Sequence, residues 1–397
     1  MHTPNNPQTR SNYLLGFSRL ITGLLFIFSG LIKANDPTGF GYKLEEYFHV
    51  FGTHFLNDYS VTIAVAICGL EILLGALLLL GFWKRMVAWG LLLLILFFTF
   101  LTFYSAFFEV VTSCGCFGDA IPLTPWQSFT KDLVLLALIL VIFVNRAQIR
   151  PVISNVATQS VITIALIVLS LGIGIYTVNF LPFIDFLPYK KGNNLPKLMT
   201  LPEGEVGDQY EVIYTLKHKT SAEQKKVSDK TYLSDELWKD EQWEIIGEPE
   251  SRLVKKGYQI PIPDLLITDA NGDDFTQQLI ENPYYNLVVV AWDLDKTNRE
   301  ALQRINALVM NAAEAYNIRA ILLTAGSTQD AERISNELDL LTEIFYADAV
   351  PLKSMVRANP GVLLLQNGIV IDKWHYNTLP DFDSLDKRYF GKAYENE

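Results

Sequence analysis

Charge and cysteine are both scarce in this sequence of 397 residues. Charged side chains make up 19% of the chain, hydrophobic residues make up 50%, and the net charge is −11. A disordered chain would have fewer hydrophobic residues, and a nucleic-acid binder that works by bulk positive charge would have the opposite sign. The composition therefore argues against both classes, and no nucleic-acid partner is expected.

The usual motifs of catalysis are missing too. No phosphate-binding loop, metal-ligand cluster or nucleophile–histidine pair is visible, and the five histidines are scattered. The three cysteines all lie in the first 116 residues: Cys68, Cys114 and Cys116. Zinc would need four ligands, and the residues around Cys114 offer only two thiols and Asp119. No metal is therefore expected, and the thiols are the reactive groups left to consider.

The charges divide the chain into two parts. Residues 1–180 hold 9 basic and 8 acidic side chains, whereas residues 181–397 hold 23 and 35. The first part contains five apolar runs near the 20 residues that a membrane-spanning helix needs. These runs are Tyr13–Ile32, Val61–Phe82, Met86–Phe108, Pro125–Val144 and Val161–Leu181. The sequence predicts a helical membrane bundle, with four helices plus a fifth span, followed by a soluble α/β part.

Lys and Arg in the short loops predict the orientation of the bundle. With the N-terminus in the cytoplasm, the outer segments carry Lys33 and Lys43, with Lys131 at a boundary. The inner segments carry Arg10, Lys84, Arg85, Arg146 and Arg150, so the count is five against three. An odd number of spans then places everything after Leu181 on the far side, together with Ser113–Trp126. In a bacterial inner membrane that side is the periplasm.

Cys114 and Cys116 follow the third run and are separated by one glycine. Because Gly115 tolerates unusual backbone angles, the two thiols can close a small ring, although the geometry is tight. A strained disulfide is easily reduced, which fits a redox-active dithiol in an oxidising compartment. Cys68, in the second run, could approach the pair as a third thiol. A structural clip or two inert thiols are the alternatives.

Lys131 and Asp132 lie near the start of the fourth run, and two further charged residues lie deeper in the predicted spans, Arg19 in the first and Glu71 in the second. Charges in a membrane are costly and are usually paired or functional. The two depths differ by roughly 9 Å at a rise of ~1.5 Å per residue, which a long arginine side chain nearly bridges. An ion pair is therefore one hypothesis, and a snorkelling Arg19 with a protonated Glu71 is the other.

Several of these residues resemble the DoxX/MauE family of membrane proteins. The resemblance rests on Ser29–Lys33, Asp36-Pro37, Gly69-Leu70-Glu71 with Gly75, and Cys114-Gly115-Cys116-Phe117-Gly118. It covers residues 13–146 and implies a four-helix module, with periplasmic disulfide formation in methylamine dehydrogenase maturation as the proposed role of MauE. Related quinone-linked enzymes carry a CxxC pair, which this chain lacks. The fifth span and the large C-terminal part also depart from plain MauE.

The soluble part begins with a segment, residues 183–257, that is expected to be a β-rich insert with a strand at Tyr210–His218. After it, alternation of strand and helix predicts a mixed sheet covered by helices. The predicted strands are Leu265–Thr268, Asn286–Trp292, Arg319–Thr324, Gly361–Gln366 and Ile369–Trp374, and the predicted helices are Arg299–Tyr316 and Gln329–Leu341. Asn367-Gly368 is a favoured two-residue hairpin turn.

This last part resembles a thioredoxin-like domain. Trp292 and residues 293–299 match the place of the family's WCxxC site, and Asn359-Pro360 matches the place of its cis-proline, although an ordinary trans proline is the alternative. No cysteine follows residue 180, so the domain cannot perform dithiol exchange alone. Asp295, Lys296 and Arg299 are either a binding surface or a solvated helix start.

These observations predict four regions and leave three hypotheses of function. The regions are a DoxX/MauE-like bundle at 1–150, a fifth span at 151–182, the insert at 183–257 and a thioredoxin-like domain at 258–397. The first hypothesis is a redox accessory in contact with membrane lipid and an unidentified periplasmic client, in which the cysteines exchange electrons with a partner thiol or a quinone. The second is a non-enzymatic scaffold, and the third is a transport component, which the lack of an internal repeat disfavours.

The loop charges lead to a test of orientation. A reporter fused after Glu397 should be active only if it is a reporter that works in the periplasm, because five spans carry the C-terminus across the membrane. Activity of a cytoplasm-dependent reporter at the same position would reverse the orientation and remove the argument for an oxidising compartment.

Overall fold

The computed structural model of the protein describes residues 7–108, 110–111, 115–221 and 223–391. Cys114 lies outside the described residues, and so does the side chain of Cys116. The predicted reactive pair therefore stays a prediction, and the site is built below from the residues around it.

The described part of the first 181 residues forms a bundle in which five helices are long and apolar enough to cross a membrane. The α-helices are α1 (Pro7–Asn35), α2 (Pro37–Val50), α3 (Ser60–Leu80), α4 (Lys84–Phe108), α5 (Pro125–Val144) and α6 (Val156–Phe180), of which α2 is the short one. Each long helix overlaps one predicted run. The predicted helical membrane part is therefore confirmed.

Local sequence signals determine where two of these helices begin. Asp36 caps α2 by accepting a hydrogen bond from the Gly39 amide at 2.9 Å, and Pro37 occupies the first turn. Thr124 and Gln127 form a reciprocal capping box at the start of α5. The break at Asp36 ends α1 and lets α2 fold back against α3.

Helices α1 and α3 approach closely where both carry glycine. A Cβ atom added to Gly75 would lie 2.8 Å from the Gly23 carbonyl oxygen and 3.0 Å from the Ile27 amide nitrogen. Small residues at helix crossings in membranes allow this direct backbone packing. The crossing holds α1 beside α3 along the centre of the bundle.

After α6, the described residues from 183 to 391 form the extramembrane domain, in which they make two sheets. A short helix, α7 (Leu195–Met199), precedes the first sheet. Its strands are β1 (Gln209–His218), β2 (Gln224–Ser228), β3 (Trp243–Ile245) and β4 (Glu250–Lys255), and α8 (Asp229–Ser234) follows β2. Strand β1 pairs antiparallel with each of the other three. The segment expected to be rich in β-structure is this sheet.

The second sheet has the order β7-β6-β5-β8-β9. Its strands are β5 (Asn286–Val290), β6 (Arg319–Thr324), β7 (Glu343–Tyr346), β8 (Gly361–Gln366) and β9 (Ile369–His375). The α-helices around it are α9 (Thr276–Ile280), α10 (Arg299–Tyr316), α11 (Thr328–Leu338), α12 (Ala349–Met355) and α13 (Phe382–Leu385). Strands β5, β6 and β7 are parallel, whereas β8 is antiparallel to both of its neighbours, β5 and β9. The predicted soluble α/β part is confirmed.

The predicted elements of this domain are mostly present, with one error. Residues 265–268 are not a strand: Thr268 forms isolated bridges to Asp274 and Tyr346, and its neighbours have no strand partner among the described residues. Asn367 and Gly368 form the predicted turn with φ of 48° and 76°. The Asn359-Pro360 peptide bond is cis, so the trans alternative is wrong.

The glycine crossing leads to a test of the bundle. Gly75→Ala should lower the free energy of unfolding in mild detergent by about 1–3 kcal/mol, because the added methyl group meets backbone atoms that cannot move aside. Gly172→Ala is the matched control, since a Cβ atom there has no neighbour within 4 Å. Equal thermal stability of the two variants would contradict the close crossing.

Candidate functional site

A cleft of about 630 Å³ lies at the junction of the bundle and the extramembrane domain. We call it the junction cleft. It is lined by the end of α1, by α2, by residues from the extramembrane domain, and by the cysteine segment (residues 109–124, between α4 and α5). Gly115 is among its lining residues, and a Cβ atom there would lie 3.3 Å from the Phe40 ring. The backbone between the two cysteines therefore borders this cleft.

Arg357 joins the extramembrane domain to two carboxylates at the cleft. Its Nε donates to Asp36 Oδ2 at 2.8 Å, and its Nη2 donates to Asp119 Oδ2 at 3.3 Å. Its Nη1 donates to the Lys353 carbonyl oxygen at 2.7 Å. Burial would lower the pKa of this guanidinium, but the carboxylates of Asp36 and Asp119 outweigh burial and raise the pKa. The charge of Arg357 is thus held at the boundary of the bundle.

The Trp292 end of the domain packs on α2. The rings of Trp292 and Tyr42 meet edge to face with centroids 6.0 Å apart. Lys353 Nζ lies 4.2 Å from the Tyr42 ring centroid and 4.6 Å from that of Trp292, which are cation–π distances. Burial raises the pKa of the Tyr42 phenol, and the positive charge of Arg357 opposes that shift. The end of the domain that carries Trp292 therefore faces the bundle.

The charged residues that follow Trp292 form ion pairs within the chain. Lys296 Nζ lies 3.1 Å from Asp58, which precedes α3, and Arg299 lies 3.0 Å from Glu337 in α11. Asp295 lies 3.7 Å from an arginine of α11. These exposed pairs contribute little stability, yet the pair of Lys296 with Asp58 adds to the charged contacts between domain and bundle.

Further contacts secure the domain close to its connection with α6. The Asn35 side chain forms two hydrogen bonds with the Ile184 backbone, at 2.7 Å and 3.0 Å. Lys373 pairs with Asp185 at 2.5 Å, and burial lowers the pKa of this lysine although the carboxylate opposes the shift. The wall of the junction cleft is therefore held at several points.

Within the bundle, Glu71 is paired with Lys33 and not with Arg19. Both partners are buried, and Lys33 Nζ also lies 4.5 Å from the Phe98 ring centroid. Arg19 instead donates to the carbonyl oxygens of Leu78 and Leu79, at 3.1 Å and 3.3 Å. The hypothesis of an Arg19–Glu71 pair is therefore not supported, because Arg19 donates to carbonyl oxygens in the last turn of α3, where acceptor capacity remains at the helix end.

A second lysine–carboxylate pair lies beside the first. Lys131 Nζ is 2.9 Å from Asp132 Oδ1, and Thr102 donates to Asp132 Oδ2 at 3.0 Å. A cavity of about 30 Å³ lies between the two pairs, and this volume is enough for a water molecule. Phe117 of the cysteine segment also lines it. The polar interior of the bundle therefore extends up to the cysteine segment.

Cys68 lies in α3 with none of its surface exposed. It packs in an apolar cluster with Ala34, Phe40, Leu44, Ala64 and Ile72. A Cβ atom at Gly115 would lie 3.3 Å from the ring of Phe40, so this cluster extends towards the cysteine segment. The approach of Cys68 to the pair stays a prediction, because Cys114 and the side chain of Cys116 lie outside the described residues. The described residues offer no group of three or more His, Cys, Asp or Glu that could hold a metal.

One comparison with known proteins, with a family model, concerns the first part of the chain. Residues 11–145, from within α1 to just past the end of α5, match the family described as "Methylamine utilisation protein MauE". The "Protein TlpB" of Flavobacterium psychrophilum is 27% identical over 141 residues, which are 34% of this chain and 38% of that protein. The chain thus matches well under half of this relative. The bundle is similar to a MauE-like multi-pass membrane module.

The buried pair leads to a test of its energetic role. Lys33→Met should cost about 3–5 kcal/mol of unfolding free energy in detergent, because it leaves the Glu71 carboxylate buried without its partner. Replacing both Lys33 and Glu71 by Met should be less damaging than either single change. Lys43→Met, which removes the surface pair of Lys43 with Glu46, is the control and should cost about 1 kcal/mol or less. A mild effect of Lys33→Met would contradict this role.

Proposed function

We propose that this chain is a bacterial inner-membrane protein that acts as a thiol–disulfide redox accessory for periplasmic clients. Cys114 and Cys116 form the reactive pair. The N-terminus is cytoplasmic, so the cysteine segment and the extramembrane domain face the periplasm. The observation that carries the proposal is Gly115 in the wall of the junction cleft, since a cleft of about 630 Å³ is large enough for a short peptide segment.

The proposed reaction transfers two electrons from a client to the pair. A client thiolate attacks one sulfur of the Cys114–Cys116 disulfide, and the second client thiol resolves the mixed disulfide. The client leaves with a new disulfide, and the pair holds two thiols with the two protons that the client lost. A quinone accepts two electrons and two protons, and it is the class of acceptor proposed to restore the bond.

The extramembrane domain is proposed to be thioredoxin-like. The strand order β6-β5-β8-β9 supports this fold, with β5 parallel to β6 and antiparallel to β8. Since residues 181–397 contain no cysteine, the domain does not exchange disulfides itself. Its contacts through Trp292 and Arg357 give it the role of one wall of the cleft in which the client segment is held.

A non-enzymatic scaffold is the alternative proposal. The ion pairs of Arg357 with Asp36 and of Lys296 with Asp58 support it, because they would fix a binding domain on the membrane without any redox chemistry. In this case Cys114 and Cys116 are structural. The two proposals differ in what happens when both cysteines are removed.

Replacing Cys114 and Cys116 by Ser separates the proposals. The double variant should remain folded, because a disulfide that closes so short a ring removes little entropy from the unfolded chain. Wild-type membranes given a water-soluble quinone should oxidise a reduced two-cysteine peptide, and membranes with the double variant should not.

Cys68→Ala tests whether the third thiol takes part. If this variant still oxidises the peptide, Cys114 and Cys116 are sufficient for the reaction.

A loss of the protein in the double variant would favour the scaffold. The cysteines are structural if the double variant fails to accumulate and the wild-type bond resists mild reductant in differential thiol labelling. The scaffold would then replace the redox accessory.

A further inference from the structure

We propose that Arg357 is the positioning residue through which the extramembrane domain holds the cysteine segment against α2. The inference rests on the proposed function and deepens it, because it names Arg357 as the residue that limits the access of other molecules to Cys114 and Cys116. It requires no cysteine in the domain. The domain acts on the thiols by holding the segment that carries them.

The first observation is the geometry of Arg357 itself. The residue is 8% exposed, and its three nitrogen atoms all donate hydrogen bonds. Asp36 belongs to the corner between α1 and α2, whereas Asp119 belongs to the cysteine segment, three residues after Cys116. One planar guanidinium therefore connects two parts of the bundle, which the single ammonium group of a lysine would not span in the same way.

The second observation is which contacts hold the described residues of the cysteine segment. Its apolar side chains pack on the bundle: the Phe117 ring lies 5.7 Å from that of Phe28, and Val111 is buried. Its described residues form one 3-10 turn, Gly115–Phe117, closed by a hydrogen bond from the Gly118 amide to the Gly115 carbonyl at 3.3 Å. A segment with few backbone hydrogen bonds opens easily unless side-chain contacts hold it. Among the described residues, Asp119 supplies the ion pair from this segment to the extramembrane domain.

The third observation is the place of Arg357 in the domain. It lies two residues before Asn359-Pro360, and the Asn359 side chain donates to the Asp293 carbonyl oxygen at 2.7 Å. Asp293 follows Trp292, which packs on Tyr42 of α2. Arg357 is thus built into the end of the domain that contacts the bundle, so a shift of this end would move the guanidinium away from Asp119.

The test measures how fast Cys114 and Cys116 react with a maleimide in the reduced full-length protein. Arg357→Lys and Asp119→Asn should each increase the rate about fivefold or more, within the range of typical coupling between sites. The double variant should react no faster than the faster single variant, because both changes remove the same contact. In Asp119→Asn the buried Arg357 keeps Asp36 at 2.8 Å, so no buried charge is left without a partner.

Two controls accompany these variants. Arg319→Lys removes a two-bond arginine–carboxylate contact with Glu343, at 2.8 Å and 2.6 Å in the same domain, and should leave the rate unchanged. Cys68 is fully buried and should stay unlabelled in every variant. Labelling of Cys68 in Arg357→Lys would show that this variant has unfolded. The rate in Asp119→Asn, with Cys68 unlabelled, would then decide the outcome.

The outcomes separate this inference from the function on which it rests. Rates equal to wild type in Asp119→Asn, or effects of the two changes that simply multiply in the double variant, overturn the positioning role of Arg357. This labelling uses reduced thiols, so it does not depend on redox activity. Faster labelling together with a wild-type protein that does not oxidise the peptide would overturn the proposed function and keep the positioning role.

Discussion

The last turn of α1 and Asp36 just after it carry three polar side chains that need partners where the bundle meets the extramembrane domain, and the arrangement of the neighbouring elements follows from where they find them. Lys33 turns into the bundle and pairs with Glu71 of α3. Asn35 binds the backbone at Ile184, just after α6. Asp36 caps α2 and accepts from Arg357 of the extramembrane domain. Because buried polar groups must find partners, one turn of helix fixes the positions of α2, α3 and the domain relative to each other.

Much of the fold could be predicted where a periodic pattern is long enough. Helix α10 and strand β6 begin and end at the predicted residues, since apolar side chains recur on one face of the helix and fill the strand. Strand β7 and helix α12 were not predicted, because four and seven residues are too short for a pattern to stand out. Residues 265–268 were predicted to be a strand from their apolar side chains alone. Their position beside the end of β7 allows only the Thr268 bridges.

The site was harder to predict because its contacts join residues far apart in sequence. Glu71 was identified as a charge that needs a partner, yet the partner was sought at Arg19 and is Lys33, which had been assigned to a loop. Arg357 was not identified, since a single arginine before Asn359-Pro360 carries no signal of its own. Asp36 was part of the family resemblance, and Asp119 was considered only as a metal ligand. The position of an arginine between two such carboxylates is visible only in the folded chain.

The short connection after α6 has a consequence for competition. The extramembrane domain is joined to the bundle through residues 181–188, and Asn377 also donates to the Asn179 carbonyl oxygen at 3.0 Å. A partner tethered by so few residues has an effective concentration in the millimolar range. The contact of Arg357 with the bundle can therefore remain formed even if separate molecules would bind weakly. A free protein of similar fold would have to reach a millimolar concentration to displace the tethered domain. Each bundle therefore keeps its own domain.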